Sequence, residues 1–341
     1  MNARRNAEIE RTVAHENRVV AIAFSPDSAL VATGAYSFYV DKSIRIWDVT
    51  SGQLIQQLPV RRPVIELVWS GDGKWLVAGC GEEPGVEAKG ATLVWDTSDW
   101  KLVHEFESSD LSAVAVSPDS ESLAVAVSDS KYSKYSKYSK YSKYGIGKSC
   151  DLMLYKLGNQ DVIGTGSIPP ESYGGYRAIA SLTFTPDGRQ LIAGGSVGLA
   201  VWKIPIERER KSPELIPGPE FSYMVTDGTE LVCVTHGPLL RYAVSDLQPL
   251  QPSIPYRPVN IPSDQVKIDM SQKNRIVVGY QQVVQYLSWP DGAVVGSITA
   301  VELVSAIAIS DDAAVVAIGT YGRVRLHDGH TGEFLRELIK P

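Results

Sequence analysis

The sequence predicts an all-β chain built from seven copies of a four-stranded antiparallel unit, and three observations carry that reading. Val, Ile, Leu, Ala, Tyr and Trp come in short runs broken by turn residues, with almost no helical periodicity. A turn recurs along the chain: Ser25-Pro26-Asp27-Ser28, Ser70-Gly71-Asp72-Gly73, Ser117-Pro118-Asp119-Ser120 and Thr185-Pro186-Asp187-Gly188, with worn copies at 225–228, 271–274 and 310–312. Proline presets φ at its place in such a turn and aspartate bonds its own backbone, so each copy is a turn with a mechanism. The copies fall about 39 to 47 residues apart, with one interval of about 68, which is the signature of a repeat architecture.

The template is the stretch 15–48. An alternating run at 19–24 leads through the turn to a second run at 30–33 and a third ending in Trp47-Asp48. The second unit repeats this at 65–69, 75–80, 92–96 and 101–106, and the third at 112–117, 122–128, 151–157 and 161–166. The fourth has runs at 178–184, 190–194 and 198–204, then a proline-broken outer segment at 214–216. The fifth and sixth are weaker: 221–226, 230–235 and 239–244, then 267–271, 275–280, 283–288 and 293–298. The seventh is clear again at 304–310, 314–319, 323–328 and 333–338. Segment 249–264 is proline-rich and reads as a connector.

A lone four-stranded sheet buries little and leaves open edges, whereas seven set radially bury both faces of each. The expected fold is therefore a seven-bladed β-propeller of four-stranded antiparallel blades, one domain over 1–341. Its blades fall near 17–58, 64–106, 111–167, 178–218, 221–254, 266–298 and 304–338.

The third runs end in Trp47-Asp48, Trp95-Asp96, Tyr155-Lys156, Trp202-Lys203 and His327-Asp328. With the turns, these endings make residues 9 to 338 resemble the WD-repeat β-propeller family. The resemblance implies a structural tetrad in the first unit: His15, Thr33, Asp41 and Trp47 in one buried hydrogen-bond chain without a catalytic role. The other units lack at least one member. The family's N-terminal strand usually completes the last blade, which 9–14 could do here, yet 333–338 also reads as an outer strand. That makes twenty-nine candidates for twenty-eight places.

Composition narrows the function classes. A formal net charge of −6 argues against an overall field that draws the chain to nucleic acid. Three scattered cysteines without a CxxC pair suit a reducing compartment. The opening MNARRNAEIERTVAHE has no apolar signal core, and no run approaches a membrane span, so a soluble, cytoplasmic protein is expected.

In a propeller of this type the a–b and c–d turns share one face, and these turns read as short. The b–c and d–a connections share the other face and hold every long loop: 36–40, 59–63, 81–90, 129–149, 168–177 and 255–264. Loops on a rigid scaffold are where binding residues are usually placed. These carry Tyr36, Phe38, Tyr39, Arg61, Arg62, Tyr173, Tyr176, Arg177, Tyr256 and Arg257, and Tyr and Arg are enriched at binding hot spots. The competing reading is that some of them plug the channel or pack between loops.

Within 129–149 lie five tandem Ser-Lys-Tyr units. Only a three-fold extended conformation aligns all five tyrosines. Such an arm could stack on single-stranded nucleic acid or dock on an acidic partner. Neutral expansion of a nine-base repeat is favoured over that, since long surface insertions cost little stability. Gly145-Ile-Gly147-Lys148-Ser149 imitates the end of a phosphate loop but leads into a strand, so it is set aside. His327 and His330 straddle a strand end without a third ligand, and Glu82, Glu83 and Glu87 read as a solvated loop.

The expected function is thus a non-enzymatic scaffold or sensor subunit that binds a protein or peptide on its loop-rich face, with no cofactor and no metal. Two alternatives are an enzyme with its site in the channel mouth and single-strand binding through the Ser-Lys-Tyr arm.

Overall fold

In a computed structural model the described residues are 13–36, 41–81, 90–108, 111–128, 150–159, 161–168, 179–196, 198–206, 212–255, 265–273 and 275–341. They form twenty-eight strands in seven four-stranded antiparallel sheets. Blade one comprises β1–β4 (Val19–Phe24, Leu30–Ala35, Ser43–Asp48, Leu54–Pro59), and blade two β5–β8 (Val64–Trp69, Trp75–Cys80, Gly90–Asp96, Lys101–Ser108). Blade three comprises β9–β12 (Leu111–Val116, Ser122–Ser128, Cys150–Lys156, Val162–Ile168), and blade four β13–β16 (Ser181–Phe184, Gln190–Gly195, Gly198–Lys203, Glu214–Ile216). Blade five comprises β17–β20 (Tyr223–Thr226, Glu230–Val234, Leu239–Ala243, Pro249–Ile254). Blade six follows as β21–β24 (Lys267–Ser271, Arg275–Tyr280, Val283–Ser288, Val294–Thr299), and blade seven as β25–β28 (Ala306–Ile309, Val315–Gly319, Val324–Asp328, Phe334–Leu338). The first strand of each blade touches the first strand of the next, and β25 touches β1, which closes the ring.

The recurrent turn works through its hydroxyl. Ser25 Oγ donates to Asp27 Oδ1 at 2.5 Å and accepts from Leu30 N at 2.9 Å, so one side chain pins both ends of the bend. Ser70, Ser117, Thr185 and Ser310 repeat the arrangement with Asp72, Asp119, Asp187 and Asp312. The last turn residue is left-handed throughout. Gly73 and Gly188 take φ of 73° and 67° freely, while Ser28, Ser120 and Ala313 hold 61°, 61° and 60° at a steric cost.

Second strands are buried on both faces and read as continuous apolar runs, as in Trp75–Cys80, and the third strand Ser43–Asp48 is nearly so; the outer Leu54–Pro59 alternates withdrawn with exposed positions. The core is correspondingly divided. Seven apolar clusters lie one between each pair of neighbouring blades, including Val19, Val31 and Trp47 of blade one against Ala306, Ala317 and Leu326 of blade seven.

The surplus strand is resolved at that junction. β28 takes the outer place of blade seven, so the blade is complete from contiguous chain. Residues 13–17 are not a strand but run beside the β26–β27 turn. His15 N donates to Gly322 O and Gly322 N donates to Asn17 O, both at 3.0 Å. Residues 9–12 lie outside the described residues.

Two readings need correction. Segment 249–264 is not all connector: its first part is β20, the outer strand of blade five, an edge that tolerates Pro249 and Pro252, the latter at a break in the pairing register with β19. Nor is every c–d turn short, since ten residues, 204–213, separate β15 from β16.

Blade contacts are tight where glycine sits. A Cβ on Gly166 would lie 2.5 Å from Trp202 Nε1, whereas one on Gly158 meets nothing within 4 Å. Trp202 is fully buried and has nowhere to retreat. Gly166→Ala is therefore expected to lower urea-unfolding stability by about 1–3 kcal/mol, the usual cost of overpacking. Gly158→Ala should change it by less than about 0.5 kcal/mol.

Candidate functional site

An up-and-down antiparallel blade sends its b–c connection and its exit to the next blade out of the same end. That end holds the connections 36–42, 81–89, 129–149 and 169–180. Tyr36 is exposed there, its N–H bonded to Arg18 O at 2.9 Å. Arg61 is exposed as well. Arg62, next to it, is turned inward: Nη1 donates to Glu105 Oε1 on β8 at 2.8 Å, and the side chain is largely withdrawn from solvent. Phe38, Tyr39, Tyr173, Tyr176, Arg177, Tyr256 and Arg257 lie outside the described residues, as do the Ser-Lys-Tyr units, 145–149 and Glu82, Glu83 and Glu87.

At the root of this end sits a buried polar chain. Trp47 Nε1 donates to Thr33 Oγ1 at 2.8 Å, Thr33 Oγ1 is 2.8 Å from His15 Nε2, and His15 Nδ1 is 2.8 Å from Asp41 Oδ2. With a neutral ring the Thr33 hydroxyl donates to Nε2 and Nδ1–H donates to Asp41, while Arg45 Nη1 also lies 2.7 Å from Nδ1. Burial pushes the His15 pKa down, opposed by Asp41. Arg45 extends the chain, its Nη1 donating to Asp41 Oδ2 at 2.7 Å and to Ala14 O at 2.8 Å. Burial alone would raise the Asp41 pKa, but the His15 and Arg45 contacts hold it well below the usual carboxylate range. Sequence reasoning missed Arg45, although an arginine in the third run SIRIWD is a visible anomaly in a strand buried on both faces.

The channel is a further concavity, 940 Å³ walled by the inner strands. Glu66 Oε2 accepts Val114 N of the next blade at 2.9 Å, and Asp269 Oδ2 accepts Ile309 N at 2.8 Å. An inner strand is a sheet edge with unpaired donors, and these carboxylates satisfy two of them. Burial pushes each carboxyl up to about 7, against the pull of the N–H donors. Lys267 Nζ donates to Tyr223 OH at 2.7 Å across the blade five–six contact. Glu66 and Asp269 also escaped the sequence reading; the available signal was a lone acid inside an inner strand, as in VIELVW and KIDMS.

Among the described residues no three His, Cys, Asp or Glu side chains gather as metal ligands, and no helix is long and apolar enough to cross a membrane. Cys80 and Cys233 are free and buried; burial pushes the Cys80 thiol up to about 12, far from reactive thiolate.

The tetrad and channel generate separate stability predictions. Trp47→Phe strands the Thr33 hydroxyl and should cost about 1–2 kcal/mol in urea unfolding, while His15→Ala, which also opens a cavity and unbalances Asp41, should cost about 2–4 kcal/mol. For Glu66 and Asp269 the folded pKa lies above the unfolded one. The folded state then holds protons that the unfolded state has lost, and stability falls as pH rises from about 4 to about 7. His15, with its pKa depressed, acts in the opposite sense below 6.5, so the variants must separate them. Glu66→Gln and Asp269→Asn keep an acceptor and should each raise stability at pH 8 by about 1–2 kcal/mol, with no gain at pH 4. Urea melts at the two pH values check this.

The model of the family described as "WD domain, G-beta repeat" matches residues 8–48, the stretch that contains all four tetrad members.

Proposed function

Because the chain belongs to the WD-repeat β-propellers, we propose that it is a non-enzymatic interaction scaffold whose loop-rich end holds a protein or peptide partner. Propellers of this family generally serve as platforms for protein interaction. The single observation that carries the reading is the asymmetry of the two ends. The long connections 81–89, 129–149 and 169–180 leave from one end, whereas the other has one comparable connection, at 204–213. A rigid ring that places its variable connections together presents a composite binding surface. The buried free thiols of Cys80 and Cys233 support a reducing, cytoplasmic setting.

An enzymatic reading would rest on Glu66 and Asp269, whose carboxyls are held near 7 within the channel. Each already accepts an inner-strand N–H of the next blade, and Lys267 is bound to Tyr223, which favours wall-building over acid–base chemistry.

The scaffold reading is tested by affinity purification from the native cell. Replacing Tyr39, Arg61, Tyr176 and Arg177 together by alanine is expected to lose specific partners. Arg61 is chosen over Arg62 because Arg62 is engaged by Glu105. Retention of every partner by this variant would overturn the face assignment, and retention after deletion of 131–144 is expected.

A further inference from the structure

Four large apolar side chains stand in water beside the junction of blades six, seven and one: Val301 65%, Leu303 67%, Tyr321 64% and Tyr36 44% exposed. They belong to three connections of the loop-rich end, and backbone hydrogen bonds tie those connections into one surface. Val304 N donates to Gln281 O, Ser305 N to Gly319 O and Val19 N to Thr320 O, at 2.6, 2.9 and 3.0 Å. An Arg18–Tyr321 bridge and the Tyr36 N–H bond to Arg18 O carry the surface into blade one. Val60 N, bonded to Lys42 O at 2.9 Å, brings Arg61 beside the end of the same connection. Exposed apolar side chains scattered singly are ordinary, but contiguous ones mark contact surfaces.

The exposed charges along this strip are cationic. Arg18 and Arg61 are exposed, and neither has an acidic partner among the described residues. The nearby carboxylates are committed elsewhere: Glu16 to Lys340 at 2.6 Å, Asp41 to His15 and Arg45, Glu105 to Arg62. Glu302, between Val301 and Leu303, is half-buried, and its Oε2 is withdrawn from the surface without a hydrogen-bond partner among the described residues. A basic segment laid here would meet two exposed guanidinium groups, whereas carboxylates would pair with them in the bidentate way arginine favours. Resting on the scaffold reading and naming its partner's chemistry, we infer that the strip from Arg61 through Tyr36, Arg18 and Tyr321 to Leu303 and Val301 docks a partner segment that interleaves apolar side chains with carboxylates.

A random dodecapeptide display library selected on the intact chain at about 150 mM salt tests this, since screening at that strength spares short-range pairs. Enriched peptides should carry both acidic and large apolar residues. They should bind Leu303→Ser/Tyr321→Ser at least about tenfold more weakly, and Arg18→Glu/Arg61→Glu should select basic peptides instead. All four positions are exposed, so thermal melts of both variants should match the parent. Enrichment of basic or uncharged peptides, equal binding to the Leu303→Ser/Tyr321→Ser variant, or no enrichment would overturn the inference. Peptides insensitive to that variant but lost on Tyr176→Ala/Arg177→Ala would sink this strip and leave the loop-rich face standing. Insensitivity to both would remove both.

Discussion

Closure of the ring is the constraint on which everything else depends. Each blade has two apolar faces, and a face without a neighbour would expose an entire cluster such as Ala306, Ala317 and Leu326. Blade seven must therefore meet blade one, although their inner strands are almost the whole chain apart. Two kinds of contact seal the junction. Trp47, Val19 and Val31 supply apolar burial, and Ser305 Oγ donates to Val19 O at 2.5 Å. The buried chain through His15 adds orientation: it fixes the segment 13–17 by side-chain bonds on one side, and the same segment bonds Gly322 of blade seven through its backbone on the other. The best-formed repeat thus stands where the ring closes, and among the described residues no strand is shared between its first and last blades.

The remaining blades stand without a full tetrad. In blades two, three, four and seven local order comes from the hydroxyl–aspartate turns, which fix strand order and spacing, and in every blade from the burial of both faces of the second strand. Hydrogen bonds of this kind contribute about 0.5–1.5 kcal/mol each, well below the burial of one large core side chain. The turns therefore specify geometry, while the seven interblade clusters supply most of the stability. Blade five, where the turn is worn and the outer strand carries two prolines, adds the bidentate Arg241–Glu230 pair to its packing.

Inner strands raise a different problem. They are edges facing a narrow channel, and their outward N–H groups need acceptors. Glu66 and Asp269 supply two, at the cost of holding carboxylates where burial disfavours charge. In the wall of the channel Glu66, Asp269 and Lys267 are engaged by neighbouring blades, whereas the loop-rich end leaves apolar and cationic side chains facing water. This division directs attention to the end of the ring rather than to its bore.

The number of blades, their order, the turn positions and the tetrad residues could all be read from the sequence, because turns and strand alternation depend on neighbours within about five residues. Other features could not. The prolines of β20 obscured an edge strand whose place only its pairing with β19 defines. Arg62 and Arg61 are alike as sequence, and only the position of Glu105, 43 residues away, turns one inward and leaves the other in water. The partners of Glu66 and Asp269 are 48 and 40 residues distant, one blade on. The apolar strip at the closure draws on positions nearly three hundred residues apart. Local chemistry alone determined the repeat; ring geometry decided which side chains meet, because each blade's edges and faces are completed by residues that sequence proximity does not bring together.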